Sequence, residues 1–182
     1  MTFWLLYVAV GLFSGFLAGL LGVGGGLVIV PVLMFIFTAQ HFPEVHVLHL
    51  ALGTSLASIM FTSLSSLRAH HGHGAVDWPT VRAIAPGIVT GTLLGTVLAA
   101  QLATDHLKVF FVAFLFYVGT QMLLNIKPKP ARQLPGLAGM FAAGNMIGGV
   151  SALVGIGGGT LSVPFMTWCN VEMRRAIGTS AA

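Results

Sequence analysis

Charged residues fall in a few short clusters along this chain, and the stretches between them are largely apolar. No Asp, Glu, Lys or Arg occurs from Met1 to Phe42 or from Gln133 to Val171, and three further charge-free runs lie between. About 20 apolar helical residues cross a bilayer, so at least five segments are predicted to enter one. Lipid offers the backbone no hydrogen-bond partner, which makes helices the natural form for such runs. The pattern predicts helical segments over Phe3 to Thr38, His46 to Leu67, Pro79 to Ala103 and Val109 to Ile126, and a further series after Gln133. The expected fold class is all-α, a polytopic membrane helical bundle.

Two glycine clusters interrupt this pattern. Gly22-Val23-Gly24-Gly25-Gly26 precedes Pro31, and Gly155-Ile156-Gly157-Gly158-Gly159 precedes Pro164. Glycine costs a helix about 1 kcal/mol relative to alanine, so each cluster predicts a Gly-broken helix. Backbone freed in this way at membrane depth is tolerated only where protein buries it or where it lines a watery cavity. The two clusters are therefore the first candidates for a binding site.

The chain also repeats itself. Gly144, Gly148 and Ala152 match Gly11, Gly15 and Gly19 at an offset of 133, and Pro164 matches Pro31 at the same offset. Ala176-Ile177-Gly178-Thr179-Ser180 echoes Ala51-Leu52-Gly53-Thr54-Ser55 at an offset of 125. Two motifs recurring in one order indicate internal duplication. Residues 1–126 read as a first transmembrane repeat, 127–133 as a basic cytoplasmic connector, and 134–182 as a second, incomplete repeat. Because the second copy stops just after its Gly-Thr-Ser, the sequence is expected to represent part of a longer transporter.

Small-residue stripes at Gly11, Gly15 and Gly19 and at Gly87, Gly91, Gly95 and Ala99 predict close helix crossings. Ser55, Ser58, Thr62 and Ser65 follow a helical period and are expected to bond to their own helix carbonyls or to line a polar path. Val109 to Ile126, rich in Phe, suits a lipid-facing position. Basic residues decide orientation: Arg68 with Arg82, and Lys127, Lys129 and Arg132, mark cytoplasmic loops, while the turns at Glu44 and Asp105 fall on the other side. If each glycine segment is a re-entrant hairpin, Arg174-Arg175 is also cytoplasmic and the repeats are inverted; if each crosses once, the repeats are parallel. The paired arginines favour inversion.

With 56% hydrophobic and 7% charged residues the composition is that of a membrane protein. The net charge of +4 resides in short loops, so it signals topology and excludes a nucleic-acid footprint. The single Cys169 permits no internal disulfide. Met1 to Leu21 lacks the basic start and cleavage site of a signal peptide and is read as mature sequence. His70, His71 and His73 lie in a glycine-rich stretch without cysteine or helical ligand spacing, so a solvated basic loop is expected and no metal or cofactor.

Gly19-Leu20-Leu21-Gly22-Val23-Gly24-Gly25-Gly26 through Val30-Pro31, then Gly53-Thr54-Ser55, with both motifs repeated, resembles the sulfite exporter TauE/SafE family of bacterial membrane proteins. The resemblance covers the whole chain, which in turn covers about two-thirds of a usual member. It implies two related four-segment halves, a multi-pass place in the bacterial inner membrane, and export of a small anion such as sulfite or a sulfonate. The expected partners are that anion and the lipid bilayer, with a homo-oligomer left open.

The residues themselves suggest how an anion is held. A helix restarting after a break presents free N–H groups and a positive dipole end. One end supplies about 0.3–2 kcal/mol, against several for dehydrating an anion. The expected site therefore combines both clusters with nearby hydroxyls: Gly22, Gly24, Gly25, Gly26, Thr54 and Ser55 from the first repeat, and Gly155, Gly157, Gly158, Gly159, Thr179 and Ser180 from the second. No Lys or Arg lies within the predicted spans, which suits weak binding and release. A dinucleotide-binding loop is excluded by the lack of strand and helix alternation, and the second cluster's nearest acid is Glu172, close by. An intramembrane serine protease is disfavoured because neither Ser55 nor Ser180 has a Gly-x-Ser-Gly context, so no catalytic residue is assigned. A passive anion channel uses the same chemistry and remains the alternative; a scaffold without substrate is a third class.

Overall fold

The structure is a computed structural model that describes residues 2–21, 26–124 and 132–182. Those residues form α1 (Thr2–Leu21), α2 (Gly26–Ala39), α3 (Glu44–Gly72), α4 (Trp78–Gln101), α5 (Thr104–Leu123), α6 (Leu137–Val154), α7 (Gly159–Trp168) and α8 (Met173–Ser180). Four of them, α3 to α6, are long and apolar enough to cross a membrane. Lys127 and Lys129 of the expected connector lie outside the described residues.

Two helices extend beyond their predicted ends. α3 starts at Glu44, directly after Pro43, and continues to Gly72, so Arg68, His70 and His71 are helical and not in the loop. At 1.5 Å per residue a helix of 29 residues exceeds the roughly 30 Å hydrocarbon thickness, and its polar ends protrude. Basic side chains in the last turn also suit the negative end of the dipole. α5 likewise begins at Thr104, with Asp105 in its first turn, where a turn was expected. α4 opens as the sequence reads, with Pro79 at the start where its missing N–H costs nothing.

α1 and α2 run out and back. Gln40, just past the end of α2, donates from Nε2 to the Tyr7 hydroxyl near the start of α1 at 2.9 Å. α3 departs from this same end, where Thr104 at the head of α5 donates to the Val45 carbonyl at 2.7 Å. His49 Nε2 lies 3.2 Å from the carbonyl of Ala99, so α4 ends here too. α6 and α7 form a second pair of the same kind. The N–H of Arg132, before α6, donates to the Trp168 carbonyl at the end of α7, and its guanidinium stands 5.3 Å over the Trp168 ring. Both pairs close with a non-glycine residue in the left-handed region, His41 after α2 and Asn170 after α7.

The second pair starts from the opposite end of the bundle, because α6 runs parallel to α4. The register is fixed by glycines: Gly87 faces Phe141, Gly91 faces Asn145, and Gly95 faces Gly149. A Cβ at Gly95 would stand 2.6 Å from the Gly149 carbonyl oxygen, and one at Gly144 would stand 2.5 Å from that of Ile84. Backbone rests on backbone along the whole crossing, the most extensive contact between described helices. Asn145 Nδ2 donates to Thr90 Oγ1 at 3.0 Å beside it. The stripe on α1 behaves differently: nothing lies within 4 Å of a Cβ built at Gly11 or Gly15.

α2 and the start of α3 supply the main core. Val30, Leu33 and Phe37 pack with Val47, Leu48, Ala51 and Leu52, with Leu107 and Phe111 of α5, and with Val154 and Ile156. The outer face of α5, with Val109, Phe116 and Tyr117 exposed, suits lipid as expected. Overpacking of this kind costs about 1–3 kcal/mol even for one methyl, so Gly91→Ala is expected to lower stability by about that amount. Gly119→Ala inside α5, where nothing lies within 4 Å, should instead raise it by about 0.5–1 kcal/mol. Chemical unfolding in mixed micelles measures both.

Candidate functional site

α6 stops at Val154 because Gly155 turns into the left-handed region at φ +67°, a conformation that glycine alone adopts without cost. The N–H groups of Gly155 and Ile156 both return to the Ser151 carbonyl and cap the helix. α7 restarts at Gly159, after which the N–H groups of Leu161 and Ser162 are taken by the Gly158 carbonyl. Between these two caps, the N–H groups of Gly157, Gly158 and Gly159 find no acceptor among the described residues. Three consecutive main-chain donors are thus half-buried and unpaired at a helix start.

The two glycine motifs meet. A Cβ at Gly26, the first residue of α2, would strike the Gly155 carbonyl oxygen and would lie 2.8 Å from Ile156 Cα. The start of α2 therefore abuts the break between α6 and α7. Gly22, Gly24 and Gly25 lie outside the described residues. On the other flank, Leu52 of α3 closes on Gly155, with its Cδ2 2.6 Å from a Cβ built there. Ile59 stands against Gly157 and Ile147 against Gly158 at 3.2 and 3.7 Å.

The hydroxyls divide. Ser55, fully buried, donates to the Gly155 carbonyl at 2.9 Å and ties the first repeat to the second. Ser180 lies beside the motif, 3.6 Å from a Cβ built at Gly159, but donates to Ile177 of its own helix at 2.9 Å. Thr54 is exposed and donates to the Leu50 carbonyl at 2.7 Å. Thr179 is buried away from the glycines and accepts the Asp77 N–H at 3.0 Å. The geometry thus brings Gly26, Ser55, Gly155, Gly157, Gly158, Gly159 and Ser180 together and sets Thr54 and Thr179 apart. Ser58 and Thr62 bond to carbonyls of α3 itself, as their helical period suggested.

One feature escaped the sequence reading. A cavity of about 690 Å³ opens at the end where α3 begins, lined by Glu44, His46, His49, Asp105 and Lys108 among others. These residues were legible as two separate boundary turns, and only the pairing of α3 with α5 makes them one wall. The cavity does not contain the glycine motifs; His49, its lining residue farthest along α3, lies six positions before Ser55, about 9 Å along the helix. Asp105 and Lys108 form a 3.9 Å pair there that is too exposed to matter for stability. Away from the site, burial pushes the Cys169 thiol up, partly offset by Arg132, so Cys169 behaves as a small packed residue. Among the described residues no group of three or more His, Cys, Asp and Glu could hold a metal ion.

A family model described as Sulfite exporter TauE/SafE matches residues 7–182. The chain is 38% identical over 182 residues to a probable membrane transporter protein of Haemophilus influenzae, covering 99% of this chain and 69% of that one. It is 31% identical over 178 residues to one of Bacillus subtilis, covering 87% and 65%. A third, of Methanocaldococcus jannaschii, is 26% identical over 96% of this chain and 66% of its own. The chain spans about two-thirds of the length of these curated relatives. No solved structure matches it.

Ser55→Ala would leave the buried Gly155 carbonyl without its donor, at a cost of about 1–3 kcal/mol. Gly155→Ala adds left-handed strain to the clash with Leu52 and is expected to cost at least as much, by about 1–2 kcal/mol of strain alone. Thr54→Ala, exposed and bonded only within its helix, should shift the unfolding midpoint little. Thermal unfolding of the three variants in one detergent ranks them.

Proposed function

The chain belongs to the sulfite exporter TauE/SafE family, and from that premise we propose that it serves in a membrane transporter that exports a small anion, sulfite or an organosulfur anion such as a sulfonate. The proposed site is the meeting point of the two glycine motifs: Gly22, Gly24, Gly25 and Gly26 with Gly155, Gly157, Gly158 and Gly159, supported by Ser55 and Ser180. The observation that carries the reading is the row of unpaired N–H groups at Gly157, Gly158 and Gly159 beside the start of α2. A site built of donors at two helix starts favours negative charge.

Ser55 has a second part to play in this reading. By taking up the Gly155 carbonyl it removes a partial negative charge that would repel the anion. Charge-assisted hydrogen bonds contribute about 1.5–3 kcal/mol each, so a few main-chain donors plus two helix ends offset the several kcal/mol of dehydration without a fixed cation. The absence of Lys and Arg from the apolar runs keeps binding weak enough for release. Two out-and-back helix pairs entering from opposite ends support an inverted-repeat transporter, in which one pair rocks against the other around a fixed site. With the end of the bundle that carries Arg68, near the close of α3, and Arg82, near the start of α4, in the cytoplasm, this placement belongs to a bacterial inner membrane.

A single backbone donor is testable. Gly158 sits at φ −50°, which proline accepts, and nothing lies closer than 3.7 Å to a Cβ there. Gly158→Pro therefore deletes one N–H with little strain, while Gly158→Ala keeps it. In proteoliposomes, labelled sulfite is expected to show saturable counterflow, with KM raised about tenfold or more by Gly158→Pro and nearly unchanged by Gly158→Ala. Equal KM for all three forms sinks the glycine site. Conductance without counterflow replaces the carrier with a passive channel.

A further inference from the structure

The cavity of about 690 Å³ where α3, α4 and α5 come together lies apart from the glycine motifs. Its volume is in the range of small-molecule pockets. Two kinds of wall enclose it. Ala100, Leu102 and Ala103, at the close of α4 and just after it, are apolar. The first turns of α3 and α5 bring Glu44, His46, His49, Asp105 and Lys108.

Both helices set out their charges in the same order. A carboxylate comes first, Glu44 as the opening residue of α3 and Asp105 as the second of α5, and a base follows about a turn later as His49 and Lys108. Burial runs the same way. The Asp105 side chain is 93% exposed against 41% for Lys108, and His49 is half-buried where Glu44 is exposed. Water and salt screen the carboxylates more than the bases, so the bases weigh more on a ligand held inside.

One ring nitrogen of His49 is committed. Nε2 lies 3.2 Å from the Ala99 carbonyl, which can only accept, so Nε2 carries the hydrogen and Nδ1 is the basic nitrogen. Nδ1 makes no hydrogen bond among the described residues. A proton added there leaves the bond to Ala99 intact, at the close of α4, where the helix dipole suits a cation. The titratable groups around it are Glu44 and His46 on α3, Asp105, His106 and Lys108 on α5, and His41 after α2; the last turns of α4 bring none. With His46 and His49 neutral, the residues lining the cavity carry one net negative charge; with both protonated, one net positive charge. Histidine is the side chain that changes charge between about pH 5 and 8, so proton uptake there inverts the sign of the cavity.

We propose that this cavity is a second anion site, switched on when His49 and His46 take up protons, for a small organic anion with a charged head and a short apolar body. The head sits between the His49 imidazolium and the Lys108 ammonium, and the body rests on Ala100, Leu102 and Ala103. The exposed 3.9 Å pair with Asp105 is weak enough for Lys108 to leave. Loss of the protons restores the net negative charge, so occupancy falls as pH rises. With Arg68 and Arg82 in the cytoplasm the cavity opens to the other side, and the outer medium sets its state. The proposal does not rest on the glycine site.

The test uses the 182-residue chain in detergent, with isotope-labelled histidine followed by nuclear magnetic resonance, and methanesulfonate, whose charge is constant from about pH 5 to 8. His49 is identified by the signal missing from His49→Gln, whose amide keeps a donor for Ala99. Methanesulfonate is expected to move the His49 signal with an affinity about tenfold or more higher at about pH 5.5 than at about pH 8. It is also expected to raise the titration midpoint of His49, because a ligand that prefers the protonated form stabilises it. Lys108→Gln is expected to weaken binding at the acid pH about tenfold, and Phe116→Ala, on the outer face of α5, to leave it unchanged. Dimethyl sulfone, similar in shape but uncharged, should move no signal. The proposal is overturned by no response to methanesulfonate, by equal affinity at both pH values, by a midpoint that stays in place, or by an affinity that Lys108→Gln does not alter. Repeating the titration on Gly158→Pro reads this cavity with the glycine site impaired, so each reading can fail without the other.

Discussion

The bare contact of α4 with α6 sets the depth of everything that follows it. Five glycines allow two main chains to approach until carbonyls meet the positions of missing side chains, and the crossing admits only one register. That register fixes where α6 stops, and hence that Gly155 arrives opposite Ser55 and Leu52 of α3. The meeting of the two glycine motifs is thus decided by a contact made elsewhere. In lipid, where apolar side chains gain little by leaving their surroundings for one another, such close backbone packing is the available source of precision.

The spans were legible because charge is excluded from the hydrocarbon, and twelve charged residues in 182 leave few choices. Their ends were not. Arg68, His70 and His71 at the close of α3, and Asp105 at the head of α5, look like loop residues to any hydropathy reading, yet a helix end that emerges into the headgroup region accommodates charge that matches its dipole. The glycine stripes show a similar limit. Four-residue spacing announces that a second backbone can approach, but not which one; the stripe on α6 found α4, and the stripe on α1 faces open space.

The candidate site was legible in its main chain and obscure in its side chains. A run of glycines implies broken helix from local energetics alone, and α6 does end where the second run begins. Hydroxyls are different, because a serine or threonine takes whichever acceptor tertiary structure brings near. Ser55 and Thr54 are neighbours in sequence, yet one clamps the other repeat and the other serves its own helix. Nothing in the sequence separates those two roles. Likewise, Glu44, His49 and Lys108 form one wall only because α3 and α5 begin at the same end.

That wall has an electrical consequence. An open recess lined as far as His49 would bring the bath to within about 9 Å of the level of Ser55, a fraction of the roughly 30 Å that separates the two aqueous phases. The membrane voltage falls where water is absent, so the drop lies across the part of the bundle beyond the recess. A unit charge carried through the full drop exchanges about 2.3 kcal/mol per 100 mV. Any charge that passes the level of the glycine motifs therefore does part of that work in the interior of the bundle, beyond the reach of the recess.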